Sequence, residues 1–121
     1  MTLRILAVDD SRTMRDMLRL ALSEAGFEVH LAEDGIHGLE VLATFNPQVI
    51  ITDINMPRLN GFGFIQAVRA REDFKGVPIL TLTTESAPEL KQRARDAGAT
   101  GWIVKPFNKE KLISVIQRVA A

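Results

Sequence analysis

The chain has 121 residues, 46% of them hydrophobic and 25% charged, with 15 basic and 15 acidic side chains and no cysteine. This is the size and composition of one soluble globular domain. It excludes disulfide frameworks, thiolate metal sites and cysteine nucleophiles, and the balanced charge gives no broad basic face for nucleic acid. The N-terminal run MTLRILAVDD is interrupted at Arg4 and closed by two acids. It is neither a signal peptide nor a membrane span, so a cytoplasmic protein with no membrane partner is expected.

Short apolar runs alternate with amphipathic stretches along the whole chain. Residues 3–8 predict a strand that ends at Asp9 and Asp10. A helix opening at Ser11 follows, with Met14, Met17, Leu18, Ala21 and Ala25 on one stripe and Gly26 as its stop. Residues 28–32 predict the second strand. Leu39, Leu42 and Ala43 mark a second helix that ends near Asn46 and Pro47. Residues 48–52 predict the third strand, which runs into Asp53 and Asn55, and Phe64, Ile65 and Val68 mark a third helix after Asn60 and Gly61.

Residues 77–82 predict the fourth strand, followed by Thr83, Thr84 and Glu85. Ser86 to Glu89 reads as a capping box with Pro88 in the first turn, opening a helix that carries Leu90, Ala94 and Ala97 and stops at Gly98. Residues 100–104 predict the fifth strand, ahead of Lys105 and Pro106. Asn108 caps a last helix with the stripe Leu112, Val115, Ile116 and Val119.

Five strand–helix alternations imply an α/β fold, a doubly wound parallel sheet with helices on both faces, in one domain over residues 1–121. Right-handed crossovers bring all strand C-termini to one edge, where such sheets bind ligands. Three carboxylates (Asp9, Asp10, Asp53), the hydroxyl of Thr83 and the ammonium of Lys105 collect there. Carboxylates brought together repel and call for a cation. Oxygen-only donors favour Mg²⁺ over Zn²⁺. These parts suit phosphoryl transfer, with Asp53 as the acceptor.

Asp9–Asp10, Asp53, Thr83 and Lys105–Pro106–Phe107 resemble the signature of response-regulator receiver domains of two-component signalling. Within that family the chain is most similar to the chemotaxis regulators of the CheY type. The resemblance spans the whole chain and implies the strand order 2-1-3-4-5. It implies that Asp53 is phosphorylated by a CheA-like histidine kinase, its phosphotransfer domain or a small acyl phosphate. Asp10 binds Mg²⁺ directly and Asp9 through water, and Asn55 offers its backbone carbonyl while its side chain faces the phosphoryl group. As alternatives, Asp9 and Asp10 cap the first helix, and Asn55 is a turn residue.

The resemblance also implies a cis bond between Lys105 and Pro106, with Lys105 directed at the phosphoryl group rather than solvated. Thr83 and Trp102 form the switch pair, Trp102 standing where many relatives have Tyr or Phe. The alternative is a Trp102 packed permanently on the fifth strand. Thr84 is bulkier than the Ala of many relatives and restricts access. Glu85 influences water attack or partner binding, or simply favours a helix N-terminus. His30 and His37 fall away from the active edge. Lys91, Arg93 and Arg95 make the fourth helix basic, either as a solvated face or as a partner surface with the fifth strand and fifth helix.

Competing readings fit less well. A haloacid-dehalogenase-like phosphatase needs an acid where Asn55 stands, Asp9 and Asp10 would repel a flavin phosphate, and no Walker loop is present. With the chain ending at Ala121, a monomer with no fused output domain is expected, signalling by binding a partner such as the flagellar motor switch. A phosphate sink in a chemotaxis network and a relay intermediate that returns the group to a histidine are the alternatives.

Overall fold

The computed structural model describes residues 2–121. Five strands, β1 (Arg4–Val8), β2 (Glu28–Ala32), β3 (Val49–Thr52), β4 (Ile79–Thr83) and β5 (Gly101–Val104), alternate with five helices. The helices are α1 (Arg12–Glu24), α2 (Gly35–Phe45), α3 (Gly61–Arg69), α4 (Pro88–Ala97) and α5 (Lys109–Ala120). A short 3-10 turn, Glu72–Phe74, precedes β4 and had no counterpart in the sequence reading. The strands form one parallel sheet in the order β2-β1-β3-β4-β5. The chain runs outward from β1 to β2 and then crosses back to β3, so the order reverses between β1 and β3. Asp9 and Asp53 stand at that reversal.

Alternate residues of each strand feed opposite faces. Leu6, Val8, Ile50 and Ile79 pack with Leu42 and Phe45 of α2 and with Phe64, Ile65 and Val68 of α3. Ile5, Ala7, Val49, Ile51, Leu80 and Leu82 pack with Leu18 and Leu22 of α1 and with Leu112 and Ile116 of α5. Both faces of the central strands are covered, which accounts for their unbroken apolar runs. Among the described residues, no helix is long and apolar enough to cross a membrane.

Four helices open on a side-chain cap. Ser11, Asp34, Asn60 and Asn108 accept from the backbone N–H groups of Met14, His37, Gly63 and Lys111. The fifth differs from the expectation of a capping box at Ser86. The N-cap of α4 is Ala87, with no side-chain hydrogen bond, and Pro88 is the first helical residue. The proline explains the shift. Its missing N–H needs no cap, its ring fixes a helical φ, and it holds the preceding Ala87 extended, at ψ 133°. β4 also starts two residues later than expected and takes in Thr83.

α4 is the most thinly packed helix. Its one buried residue is Ala94, which with Leu90 joins a small cluster of Ile54, Phe62, Ala99 and Trp102. Two arginines hold it in place. The Arg93 guanidinium lies 4.1 Å from the centre of the Phe62 ring. Arg69, at the end of α3, donates from Nε and Nη2 to the carbonyl of Gly98 at 3.0 and 2.8 Å. Its Nη1 donates to the carbonyls of Phe74 and Lys75 at 2.9 and 3.1 Å. Burial pushes the Arg69 pKa down, and the acceptors around it are carbonyls.

Arg69→Met keeps the aliphatic stem and removes these donors. A buried carbonyl left unpaired costs about 1–3 kcal/mol, and because these are part-buried, with that of Lys75 exposed, the lower end applies. Urea denaturation of the variant is expected to show a loss of at least about that size, with hydrogen exchange rising first in α4.

Candidate functional site

The backbone delivers the acids to the sheet edge. The amide of Asp9 donates to the carbonyl of Ala32 at 3.0 Å, and that of Asp53 to the carbonyl of Val8 at 2.9 Å, so both residues continue the strand pairing. Asp9 is 1% exposed and Asp53 7%, whereas Asp10 points into solvent. One oxygen from each of the three carboxylates lies within 4.8 Å of the others. Between the two buried acids sits the Lys105 ammonium, 2.8 Å from Asp9 Oδ2 and 2.8 Å from Asp53 Oδ2. Lys105 is anchored by its own amide, which donates to the carbonyl of Thr83 at 2.8 Å. The Lys105–Pro106 bond is cis.

The second oxygen of each buried acid accepts from a backbone amide. Asp9 Oδ1 takes the N–H of Ser11 at 2.9 Å, and Asp53 Oδ1 that of Ile54 at 2.6 Å. Asp9 therefore does serve the turn into α1, but the helix cap itself is Ser11. Burial pushes the Asp9 carboxyl above its ordinary range, and Lys105 and the Ser11 amide offset this only in part. For Lys105, burial pulls the pKa down, but the bonds to Asp53 and Asp9 outweigh it, so the ammonium is held charged. One cation does not balance three carboxylates. The donors are all oxygen, the set that hard divalent ions prefer.

The opposite wall is organised by Glu85. Its amide donates to the buried Thr83 Oγ1 at 3.4 Å, a long bond that leaves the hydroxyl proton free to point elsewhere. Its carboxylate accepts from Asn55 Nδ2 at 3.3 Å. Its carbonyl accepts from Trp102 Nε1 at 3.0 Å. The indole is half-buried against Ile54, Phe62, Leu90 and Ala94. Thr84 is exposed beside this wall. Glu85 lies ahead of the first turn of α4, which begins at Pro88 with Glu89 as its acidic residue.

The two histidines are occupied elsewhere. His30 stacks on Phe45 at 3.8 Å with the rings 6° apart, and His37 Nδ1 accepts from the amide of Glu33 at 3.2 Å. Of the basic residues on α4, Arg93 covers Phe62, while Lys91 and Arg95 flank a shallow cleft beside Trp102.

Three residues near the site escaped the sequence reading. Arg15 Nη1 donates to the carbonyl of Asp9 at 2.6 Å. Arg58 makes a two-pronged pair with Asp34, Nε to Oδ2 at 2.7 Å and Nη2 to Oδ1 at 3.0 Å. Asp34 ahead of Gly35 and Ile36 is legible as a helix cap, but nothing in the sequence pairs it with an arginine 24 residues away.

The sequence matches the response regulator receiver domain family over residues 5–117. Response regulator MprA of Mycobacterium leprae is 40% identical over 115 residues, which are 95% of this chain and 50% of that protein. MprA of Mycobacterium ulcerans is 40% identical over 114 residues, 94% of this chain and 48% of that protein. The chain thus spans about half the length of the curated relatives it matches. Among solved structures, the Vibrio cholerae chemotaxis protein CheY4 is 48% identical, with a TM-score of 0.95 over 98% of this chain and 99% of that one. The receiver domain of a Pseudomonas aeruginosa sensor histidine kinase, solved with a magnesium ion in its active-site cleft, is 27% identical, with a TM-score of 0.92 over 99% and 98%. This chain belongs to the response regulator receiver domain family of two-component signalling.

Proposed function

We propose that Asp53 accepts a phosphoryl group, in a Mg²⁺-dependent reaction, from the phosphohistidine of a chemotaxis-type histidine kinase or its phosphotransfer domain. A small acyl phosphate is an alternative donor. The observation that carries this reading is the Lys105 ammonium, 2.8 Å from both Asp9 and Asp53 beside a cluster of three carboxylates. Asp10, Asp53 and the backbone carbonyl of Asn55 would hold the ion directly, and Asp9 through a water. Bound there, Mg²⁺ cancels the repulsion between these carboxylates and the incoming phosphoryl oxygens.

A carboxylate oxygen of Asp53 forms the new O–P bond as the N–P bond of the donor breaks, and the electron pair stays on the imidazole nitrogen. Attack by a carboxylate oxygen needs no general base to remove a proton. Lys105 pairs with one phosphoryl oxygen, and the Thr83 hydroxyl turns to donate to another. In a separate hydrolysis step a water attacks the phosphorus, the O–P bond to Asp53 breaks with its electron pair returning to the carboxylate, and inorganic phosphate leaves. Asn55 and Glu85, bonded to each other beside the site, and the exposed Thr84 set how readily that water enters. The chain catalyses only its own phosphorylation and dephosphorylation.

Thr83 and Trp102 are linked through Glu85, so movement of the hydroxyl toward phosphate reaches the indole by way of two hydrogen bonds. The readout is the surface of α4, β5 and α5 around Trp102, recognised by a partner such as the flagellar motor switch while the protein acts as a cytoplasmic monomer. The 48% identity with CheY4 over nearly the whole chain supports the chemotaxis assignment.

Acetyl phosphate with Mg²⁺ is expected to add one phosphoryl group, seen by intact mass spectrometry, and Asp53→Asn to abolish it. An adduct surviving that change moves the acceptor elsewhere. Lys105→Ala is expected to slow phosphorylation on the order of 10²-fold while Mg²⁺ still binds in calorimetry. Equal loss of both would make Lys105 a structural residue only. Beryllofluoride, a phosphoryl mimic, is expected to change Trp102 fluorescence, and an identical spectrum with and without it removes the indole from the switch. Capture of motor switch protein by the mimic-bound form supports the output proposed here, and capture of a histidine phosphotransfer domain alone replaces it with a relay.

A further inference from the structure

We infer that Asp34 and Arg58 are positioning residues, a clamp that fixes the loop between β3 and α3 and so sets the affinity of the carboxylate cluster for Mg²⁺ without touching the ion. The inference rests on the functional reading above, because Asn55, the expected carbonyl ligand, belongs to that loop.

The base of the loop is rigid. The Gly61 amide donates to the carbonyl of Ile54 at 2.8 Å, and a Cβ on Gly61 would collide with the carbonyl oxygen of Asp53. Past the buried Ile54 the chain leaves the core, and Asn55, Pro57 and Arg58 are exposed. Asn55 itself is held by one long side-chain bond to Glu85. What secures the far side of the loop is its attachment to the N-terminus of α2.

That attachment has two strands. The Gly35 amide donates to the carbonyl of Leu59 at 3.2 Å, and the approach is so close that a Cβ on Gly35 would lie 2.6 Å from that oxygen. Beside it, Arg58 forks onto Asp34, whose side chain is only 5% exposed. Asp34 Oδ1 also accepts the His37 amide at 2.8 Å, so one carboxylate both caps α2 and grips the loop. Arg58 holds the Asp34 carboxyl below its ordinary range, chiefly through this hydrogen bond.

The backbone of Arg58 is the second sign of a built device. Its φ is +65°, in the left-handed region that costs energy for any residue with a Cβ. The Leu59 amide closes back onto the carbonyl of Pro57 at 2.7 Å, completing a tight turn. Such a conformation persists where the surroundings over-determine it. Here the surroundings are the fork to Asp34 and the bond from Gly35.

The clamp leads back to the metal cluster. Gly38 of α2 packs so tightly that a Cβ there would lie 3.1 Å from Val8 and 2.8 Å from Phe64. Val8 is the last residue of β1 before Asp9 and Asp10. The path from Asn55 through Arg58, Asp34 and α2 therefore ends on the strand that leads into Asp9 and Asp10. Closing this loop of contacts fixes where Asn55 stands relative to Asp9 and Asp10. Partners bonded directly to metal ligands typically cost about 10–100-fold in metal affinity when lost, and a clamp one contact further out acts at the lower end of that range.

The test uses three variants of the whole chain. Arg58→Asn removes the fork but tolerates the left-handed turn. Asp34→Asn keeps the α2 cap and loses the charge. Arg58→Lys restores one charged bond. Calorimetric titration with Mg²⁺ is expected to show affinity reduced about tenfold in both asparagine variants and less in the lysine variant. The double asparagine variant is expected to be no weaker than either single one, since both break the same contact. In metal-free protein, hydrogen exchange at residues 55–59 is expected to speed up while the urea midpoint stays close to that of the parent. Unchanged Mg²⁺ affinity in both asparagine variants overturns the inference, as does an affinity loss that follows a general loss of stability. If the parent chain binds no Mg²⁺, the functional reading fails instead, and unchanged exchange at residues 55–59 then overturns the clamp as well.

Discussion

Two buried carboxylates, Asp9 and Asp53, stand at the ends of neighbouring parallel strands. Left alone they would repel. The Lys105 ammonium, equidistant from both, offsets that repulsion in part, and it does so from the far side of the sheet, beyond β4. Three strand ends are thereby tied by one charge. The bridge also defines what the site can do. It holds a positive charge against both acids at the edge of the sheet, beside a third carboxylate.

Around this bridge the molecule is unevenly built. The β1 and β3 side is dense, with apolar residues packed on both faces and the first acids locked into the strand pairing. The β4 to β5 side is looser. α4 buries one residue, lacks a side-chain cap and leans on Arg93 and Arg69. Glu85 joins the two regimes, touching Thr83 by its amide, Asn55 by its carboxylate and Trp102 by its carbonyl. A dense side and a lightly held side suit a signalling domain, because elements that move are drawn from the less stable part of a fold.

The dual use of small features recurs. Asp9 turns the chain into α1 with one oxygen and holds Lys105 with the other. Asp34 caps α2 and receives Arg58. Trp102 fills a small apolar cluster with its ring and reaches a loop carbonyl with its N–H. In each case a residue that looks ordinary by its local role also fixes the relative placement of two segments.

Periodicity and turn chemistry were enough to reveal the alternation of strands and helices, the parallel sheet and the collection of Asp9, Asp10, Asp53, Thr83 and Lys105 at one edge. These follow from local rules, since apolar runs, the cap at Asn108 and stops at glycine are each written within a few residues, whereas the caps at Ser11 and Asn60 came from the structure. What only the tertiary structure decided is pairwise and distant. It set the split of Lys105 between Asp9 and Asp53, the three bonds of Glu85, the Arg69 staple and the Arg58–Asp34 clamp. It also moved the start of α4 past Ser86, because Pro88 outranked a side-chain cap. A single sequence lists which groups are available at an edge. Which of them meet depends on how the crossovers place segments tens of residues apart, and that is settled by packing.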